Sequence, residues 1–232
     1  MVFYGNIKIY PLGEAALVVA FGEVLTAQSN LLVRCLDVAI GELSCAGLRE
    51  CVSAYNTLTI YYDPVHLSYS TIYRLVEELI DGLQLEETKP NGEKLIPVYY
   101  NGPDLLDVAQ HTGLSVDEII ALHTAGLYQV YMLGFVPGFP YLGGLDSRLA
   151  TPRKATPRLK VAAGSVGIAG AQTGIYPFST PGGWQIIGHT PLQLFDVTRE
   201  DHPAFLTVGD SVRFVSMEKT DFYNMNTQRH GN

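Results

Sequence analysis

The chain has 232 residues, 47% of them hydrophobic, and a formal net charge of −8. That length suits two small cores better than one, at roughly 100 to 200 residues per domain. The acidic balance argues against a nucleic-acid partner and against adhesion to an anionic membrane surface, because both need a basic face. Cys35, Cys45 and Cys51 are odd in number and lack C-x-x-C spacing, so they read as buried thiols in a reducing compartment, with no metal clamp among them. No apolar run approaches the roughly 18 residues of a membrane helix. The short stretch 15–21, flanked by Glu14 and Glu23, is unlike a secretory signal, and a cytoplasmic location is the expectation.

In chain order, residues 7–10 and 16–21 are β-prone and separated by the turn signal Pro11-Leu12-Gly13. Residues 26–43 repeat Leu31, Leu32, Cys35, Ala39 and Leu43 at three- and four-residue steps, which predicts a helix. Residues 48–54 and 57–62 predict a hairpin turning near Tyr55-Asn56. Ser70 is a candidate cap for a second helix, in which Ile72, Leu75, Val76, Leu79 and Ile80 share a face and which Gly82 stops. Closed by a last strand at 95–99, this order predicts a ferredoxin-like α+β N-terminal domain over residues 1–88. The polar, turn-rich segment 86–94 reads as a linker.

A second domain is expected over residues 89–225. Pro103 suits the first turn of a helix, with Asp104 and Asp107 near its start, and Ser115-x-x-Glu118 has the capping-box spacing of another that ends near Gly126. Residues 128–135 predict a strand. From 134 to 190 glycine and proline recur too often for helix, and β-prone pieces at 175–178, 184–187, 192–197 and 211–215 predict an all-β barrel with long, shaped loops. Residues 226–232 read as a frayed tail.

Four segments of this second domain could carry chemistry. In residues 134–144, Pro137-Gly138 fits the middle of a type II turn, and Phe135, Phe139 and Tyr141 would stand on a stiff loop as an apolar pocket wall or a barrel plug. Arg148, Arg153, Lys154, Arg158 and Lys160 place five of the fifteen cationic side chains close together, a field that could grip a carboxylate or phosphate, unless it is salt-bridged to the acidic remainder. Residues 163–174 carry glycines at 164, 167, 170 and 174 but lack the ending of a phosphate loop; they would let backbone approach a ligand or a strand, presenting Gln172 and Thr173. In 181–191, Trp184 reads as core more readily than as a ligand platform, and His189, like His123 on the preceding helix, is a candidate proton carrier or a hydrogen-bonded structural residue. No histidine–carboxylate spacing supports a metal.

These segments resemble the family of the B-type subunit of 5-oxoprolinase, also described as allophanate hydrolase subunit 1 or KipI-like kinase inhibitors. The resemblance rests on Pro97-Val-Tyr-Tyr-Asn-Gly-Pro-Asp104, Leu122-His123, residues 134–144 and Ala150-Thr-Pro-Arg153. It continues through Gly164-Ser-Val-Gly-Ile-Ala-Gly170, Gln172-Thr-Gly-Ile-Tyr-Pro177, Pro181-Gly-Gly-Trp184 and Leu194-Phe-Asp196. The N-terminal part matches only by Leu12-Gly-Glu14 and its element order. Two departures stand out: Ala162 where many relatives have proline, and His189 where many have arginine.

The resemblance implies a cyclophilin-like barrel for the second half and a role in cleaving 5-oxo-L-proline to L-glutamate with ATP. It implies a KipA-like, C-type subunit as direct partner and a LamB/YcsF-like, A-type subunit as functional partner. On that basis Arg153 and Arg158 would hold an anionic group, Phe139 and Tyr141 would wall the site, and Gln172, Thr173 and Tyr176 would orient substrate. His123 or His189 would carry the proton. Relatives imply two alternatives, inhibition of a sensor histidine kinase and a carboxyltransferase or hydrolase role on allophanate or urea-type substrates.

Overall fold

The computed structural model describes residues 6–83 and 92–230 and divides into two compact units, Met1–Thr88 and Lys89–Asn232. Most of the expected linker, 86–94, lies outside the described residues, but Glu93 and Lys94 already open a strand.

In the first unit β1 (Ile7–Pro11) and β2 (Ala16–Phe21) form a hairpin, followed by α1 (Ala27–Gly41), β3 (Leu48–Ser53), β4 (Thr57–Tyr62) and α2 (Tyr69–Gly82). Thr26 caps α1 through a capping box with Ser29, each side chain taking the other's backbone N–H. The cap of α2 is Ser68, not Ser70: Ser68 has the extended backbone a cap requires and accepts from Thr71 N, whereas Ser70 lies inside the first turn. Alternate residues Leu58, Ile60 and Tyr62 of β4 join Leu17, Val19 and Phe21 of β2 beneath Leu36 and Ile40 of α1 and Ile72 and Val76 of α2.

The sheet order is β1-β2-β4-β3, antiparallel throughout. This corrects the ferredoxin-like expectation in one respect. The strand beside β2 is β1, from the N-terminal hairpin, and β5 (Glu93–Val98), predicted to close this sheet, belongs to the second unit. Ile96 and Val98 of β5 are both fully buried there, and all six β5 residues pair in parallel with a strand near the C-terminus. Such a pairing leaves no local signature in sequence.

The second unit continues with α3 (Leu105–Thr112), α4 (Val116–Ala125), β6 (Tyr128–Leu133), β7 (Pro140–Gly143) and a short 3-10 helix, Ser147–Leu149. Then come β8 (Arg158–Val161), β9 (Ser165–Ala169), β10 (Gln172–Ile175), β11 (Thr180–Gly182), β12 (Gln185–His189), β13 (Ser211–Ser216) and α5 (Lys219–His230). Ser115 and Glu118 form the predicted capping box of α4. Seven strands make one sheet in the order β12-β9-β10-β7-β6-β13-β5, and β11 pairs with β8 in a separate ribbon. Three expectations fail here: of residues 175–178 only Ile175 lies in a strand, and two further segments differ. Residues 192–197 form no strand beyond a bridge from Phe195 to Ala204, and the tail expected from 226 continues a helix to His230, with Phe222 of that helix 5.5 Å from Tyr99.

The sheet is nearly closed into a barrel because its two edge strands meet. Tyr99, just after β5, and His189, at the end of β12, exchange both backbone hydrogen bonds at 2.9 Å. The seam continues as Gly102 N donates to Ile187 O at 3.1 Å and Asp104 N to Ile186 O at 3.0 Å. Glycine is required at 102, where a Cβ would lie 2.2 Å from Ile186 O.

Ile96, Val98, Val166, Ile168, Ile175 and Ile187 fill the interior, with Val108 of α3 and Ile119 of α4 packed in the same core. His123, expected as a proton carrier, is part of this core. It is fully buried, stacks on Phe214 at 4.3 Å, and holds Tyr100 Oη at 2.7 Å from Nδ1 and Thr173 Oγ1 at 3.0 Å from Nε2. Thr173 donates its own hydroxyl proton to Gly167 O, so it accepts from Nε2–H and Tyr100 donates to Nδ1, which fixes a neutral imidazole. Burial drives the His123 pKa down to about 3. His123 and Thr173, the latter expected to orient substrate, are packing residues whose polar atoms satisfy one another.

Gly102→Ala should destabilise the second unit by about 2–3 kcal/mol, because the added methyl must push apart the backbone that closes the barrel; chemical denaturation within about 0.5 kcal/mol of wild type would contradict the closure argument. A second expectation concerns acid. His123 binds a proton near pH 6.5 when unfolded but only near pH 3 when folded, so its contribution is intact above about 6.5 and is lost as pH falls from there towards 3. His123→Gln should flatten the fall of stability over that window relative to wild type, as followed by urea unfolding from pH 7 to pH 4.

Candidate functional site

Strand alternation gives the barrel wall two faces. While Val166, Ile168 and Ile175 point inward, Ala169, Trp184 and Ile186 point outward and join Phe139, Val161 and Tyr176 in a second apolar cluster outside the barrel. Gly167 and Gly174 are paired opposite each other beneath it. A Cβ on Gly174 would lie 3.0 Å from the Trp184 ring and 3.1 Å from Phe139, and one on Gly167 3.2 Å from Trp184. The glycine run expected to be a loop is therefore mainly the hairpin of β9 and β10, turning at Gly170 with φ +58, and Gly174 is the one of its glycines that makes room for rings.

Phe139 lies at the centre of this layer. The rings of Phe135, Tyr141, Tyr176 and Trp184 surround it at 4.8 to 5.7 Å, and it is 1% exposed. Phe139, expected in the pocket wall, lies buried behind Tyr141 and Trp184 and supports both. The type II turn is as expected, with Gly138 at φ +76 and Phe139 N donating to Val136 O at 3.1 Å. Tyr176 is also buried, and its hydroxyl accepts from the Trp184 backbone. Burial raises the pKa of both Tyr141 and Tyr176, with Arg153 acting in the opposite direction on each.

Cations border the layer, and most are matched by acids. Asp104, fully buried, accepts from Lys154 Nζ at 2.7 Å and from Arg158 on Oδ1, and from Ile186 N at 2.7 Å on Oδ2. Burial pushes the Asp104 pKa upward, but these three donors outweigh it and hold the carboxyl below its usual value. Lys154 also reaches Asp107 at 3.3 Å, and Arg148 pairs with Asp146. The expected positive field is thus cancelled at three of its five cations. Arg158 keeps one unmet capacity, since its Nη1 is buried without a hydrogen-bond partner. Arg153 and Lys160 are exposed with no ion pair among the described residues, and the Arg153 guanidinium lies over the Trp184 ring at 6.0 Å.

The predicted residues therefore divide. Tyr141, Arg153, Arg158 and Tyr176 come together around Phe139 and Trp184. Gln172 is half-buried at the hairpin end, on the face it shares with Gly174 by alternation. His189 sits at the barrel seam, half-buried, with Nδ1 2.9 Å from Asn101 Oδ1 and a pKa lowered by burial. His123 and Thr173 are inside the barrel. Asp104 was legible only as a charge near a helix start; it provides no side-chain cap there and instead organises the cations. The Gly102-Pro103-Asp104 step, which brings that carboxylate to the seam, is the one local clue.

A model of the carboxyltransferase domain, subdomain C and D, matches residues 7–206. The B-type subunit of 5-oxoprolinase from Bacillus subtilis (strain 168) is 44% identical over 230 residues, covering 93% of this chain and 95% of that protein. Among solved structures, TTHA0988 superposes with a TM-score of 0.77 at 40% identity, covering 88% of this chain, which spans only 40% of that longer polypeptide. The Kluyveromyces lactis urea amidolyase shares the fold, with a TM-score of 0.79 at 18% identity, over 94% of this chain and 15% of its own. The chain belongs to the family of 5-oxoprolinase B-type subunits, built on this carboxyltransferase domain.

Proposed function

We propose that this chain is the B-type subunit of a heteromeric, ATP-dependent 5-oxoprolinase that opens 5-oxo-L-proline to L-glutamate together with its A-type and C-type subunits. The observation that carries this reading is the 44% identity to a protein of that name, end to end over 95% of its length. A five-membered lactam is a poorly electrophilic amide. Phosphoryl transfer from ATP to its carbonyl oxygen activates the carbon, water adds, and the ring C–N bond breaks to give an acyl phosphate. A second water releases glutamate and phosphate.

The cation-bordered aromatic layer on the barrel, cyclophilin-like in this reading, supplies the substrate contacts. Arg153, exposed and steadied on Trp184, takes the carboxylate of 5-oxoproline. Arg158, paired with Asp104, adds a second positive charge beside that anionic group, and Tyr141, Tyr176 and Gln172 set the orientation. His189 is the remaining candidate for proton transfer. ATP is assigned to the assembled complex, since the glycines of 164–174 that could have cradled phosphate lie in and around the β9–β10 hairpin, which leads into the strand β11 and not into a helix. A second reading, carboxyl transfer to a urea-type nitrogen, has the carboxyltransferase description of the family model in its favour; it requires a biotin-carrying partner and no 5-oxoproline.

Reconstitution decides between them. The three subunit types together should release ADP in proportion to added 5-oxo-L-proline, and this chain alone should not; absence of stimulation in the full mixture would remove the oxoprolinase reading. Within the active complex, Arg153→Ala should lower kcat/KM by about ten- to a hundredfold, the value of one charge-assisted hydrogen bond of about 1.5–3 kcal/mol. Arg153→Ala at wild-type kcat/KM would take the carboxylate away from this residue.

A further inference from the structure

The parallel pairing of β5 with β13 sets Lys94 opposite Val212 and Ile96 opposite Phe214. Ile96, Val212 and Phe214 belong to the barrel core, so alternation turns Lys94 to that same face at the start of β5. Asp210 stands two residues before Val212, and its backbone oxygen accepts from Val130 N of β6 at 2.9 Å. The loop between β12 and β13 supplies Phe205, which packs against the core. With exposed Glu200 and Asp201, these residues line a cavity of about 570 Å³. That size is usual for a small-molecule site.

Two charges in this cavity lack a counterpart. Asp210 is 2% exposed; its Oδ2 accepts from Thr207 N at 2.9 Å, and its Oδ1 is buried with no hydrogen-bond partner. A carboxylate oxygen left in that state is costly, and native folds rarely keep one without a use. Lys94, half-buried in the same cavity, forms no ion pair among the described residues. Its ammonium lies over the Phe205 ring at 5.4 Å instead. Thr207 thus holds the carboxylate and Phe205 the ammonium, and the two stay beyond ion-pair distance of each other. Neighbouring charges are already engaged: Glu93 pairs with Arg213 at 2.8 Å, and Asp196 with Arg199 at 3.6 Å.

Charge decides the class of ligand. A simple cation would meet the repulsion of Lys94, and a simple anion that of Asp210, Glu200 and Asp201. A molecule with both charges a few bonds apart can give its ammonium to Asp210 and its carboxylate to Lys94. We propose that this cavity binds a free α-amino acid in its zwitterionic form, held between Asp210 and Lys94. Such a ligand replaces two unmatched charges with two charge-assisted hydrogen bonds. The site shares no residue with the Arg153 layer and is independent of the reaction proposed above. Within that reaction it would tell product from substrate, since glutamate keeps a free ammonium whereas the lactam nitrogen of 5-oxoproline carries no charge.

The test is calorimetric titration of the full chain with L-glutamate, L-alanine and L-lysine. It is run on wild type and on Arg153→Ala, so that binding at the aromatic layer is told apart. At least one of the amino acids should bind both proteins with a Kd of about 1 mM or tighter. Glutarate and n-butylamine, each with one kind of charge only, should bind Arg153→Ala about tenfold more weakly or not at all. Asp210→Asn and Lys94→Met should each weaken amino-acid binding by about tenfold or more, the loss of one charge-assisted bond. Lys94 is partly exposed, so Lys94→Met keeps the test open even where Asp210→Asn fails to fold. Absence of binding by all three amino acids, equal binding of either single-charge probe, or wild-type affinity in Lys94→Met would each overturn the assignment. None of these results bears on whether the three subunit types together open 5-oxo-L-proline.

Discussion

A carboxylate with almost no access to water holds the second unit's parts in register. Asp104 cannot remain charged where it lies unless its oxygens are saturated by donors, and the three donors come from three places in the chain. Ile186 N belongs to the barrel wall, Arg158 to the β8–β11 ribbon, and Lys154 to the segment leading into that ribbon. The segment that carries Asp104 also closes the barrel, through the contacts of Tyr99 and Gly102 with β12. One group thus fastens the seam, the ribbon and the cationic segment to a common point. Arg153 inherits its place from this arrangement: Lys154, the next residue, is held by Asp104 through its side chain and by Gly183 O through its backbone N–H at 2.7 Å, which leaves the Arg153 guanidinium over Trp184.

The same constraint explains why so few of the clustered cations are available for ligand. A buried acid needs cations in order to exist, and Lys154 and Arg158 are committed to it. A basic run in sequence shows its positive members and hides the acids that meet them, because Asp104 and Asp107 lie about fifty residues away. What remains for chemistry is the Arg153 guanidinium and the Lys160 ammonium, neither with a carboxylate partner among the described residues. Functional capacity in this layer is what structural pairing leaves over.

Features decided within a few residues were legible. The capping box of Ser115 and Glu118, the bounds of β2 and the turn at Pro137-Gly138 follow from local backbone preference, and they stand where the sequence placed them. Features decided by distant partners were not. The parallel pairing of β5 with β13 lies beyond any periodicity, so β5 was assigned to its neighbours in sequence. His123 and Thr173 looked like polar equipment until the fold joined them across fifty residues and gave each atom a partner inside the core. The glycines of β9 and β10 read as backbone drawn close to a ligand or a strand; the rings that crowd Gly174 arrive from other segments, and a single chain read left to right shows the glycine without its reason.

The aromatic layer gives these pieces a common mechanical role. Packed rings transmit position poorly through liquid-like contacts but well when each is caged by others, and Phe139 is caged on four sides. Trp184 meets the Arg153 guanidinium on one side of that cage, and the exposed Phe135 ring stands at another. Beneath Phe139, Gly174 is held to a bare backbone, since a Cβ there would lie 2.8 Å from Pro140 O and 3.1 Å from the Phe139 ring. The layer thus joins an exposed aromatic edge to an exposed guanidinium through rings in mutual contact.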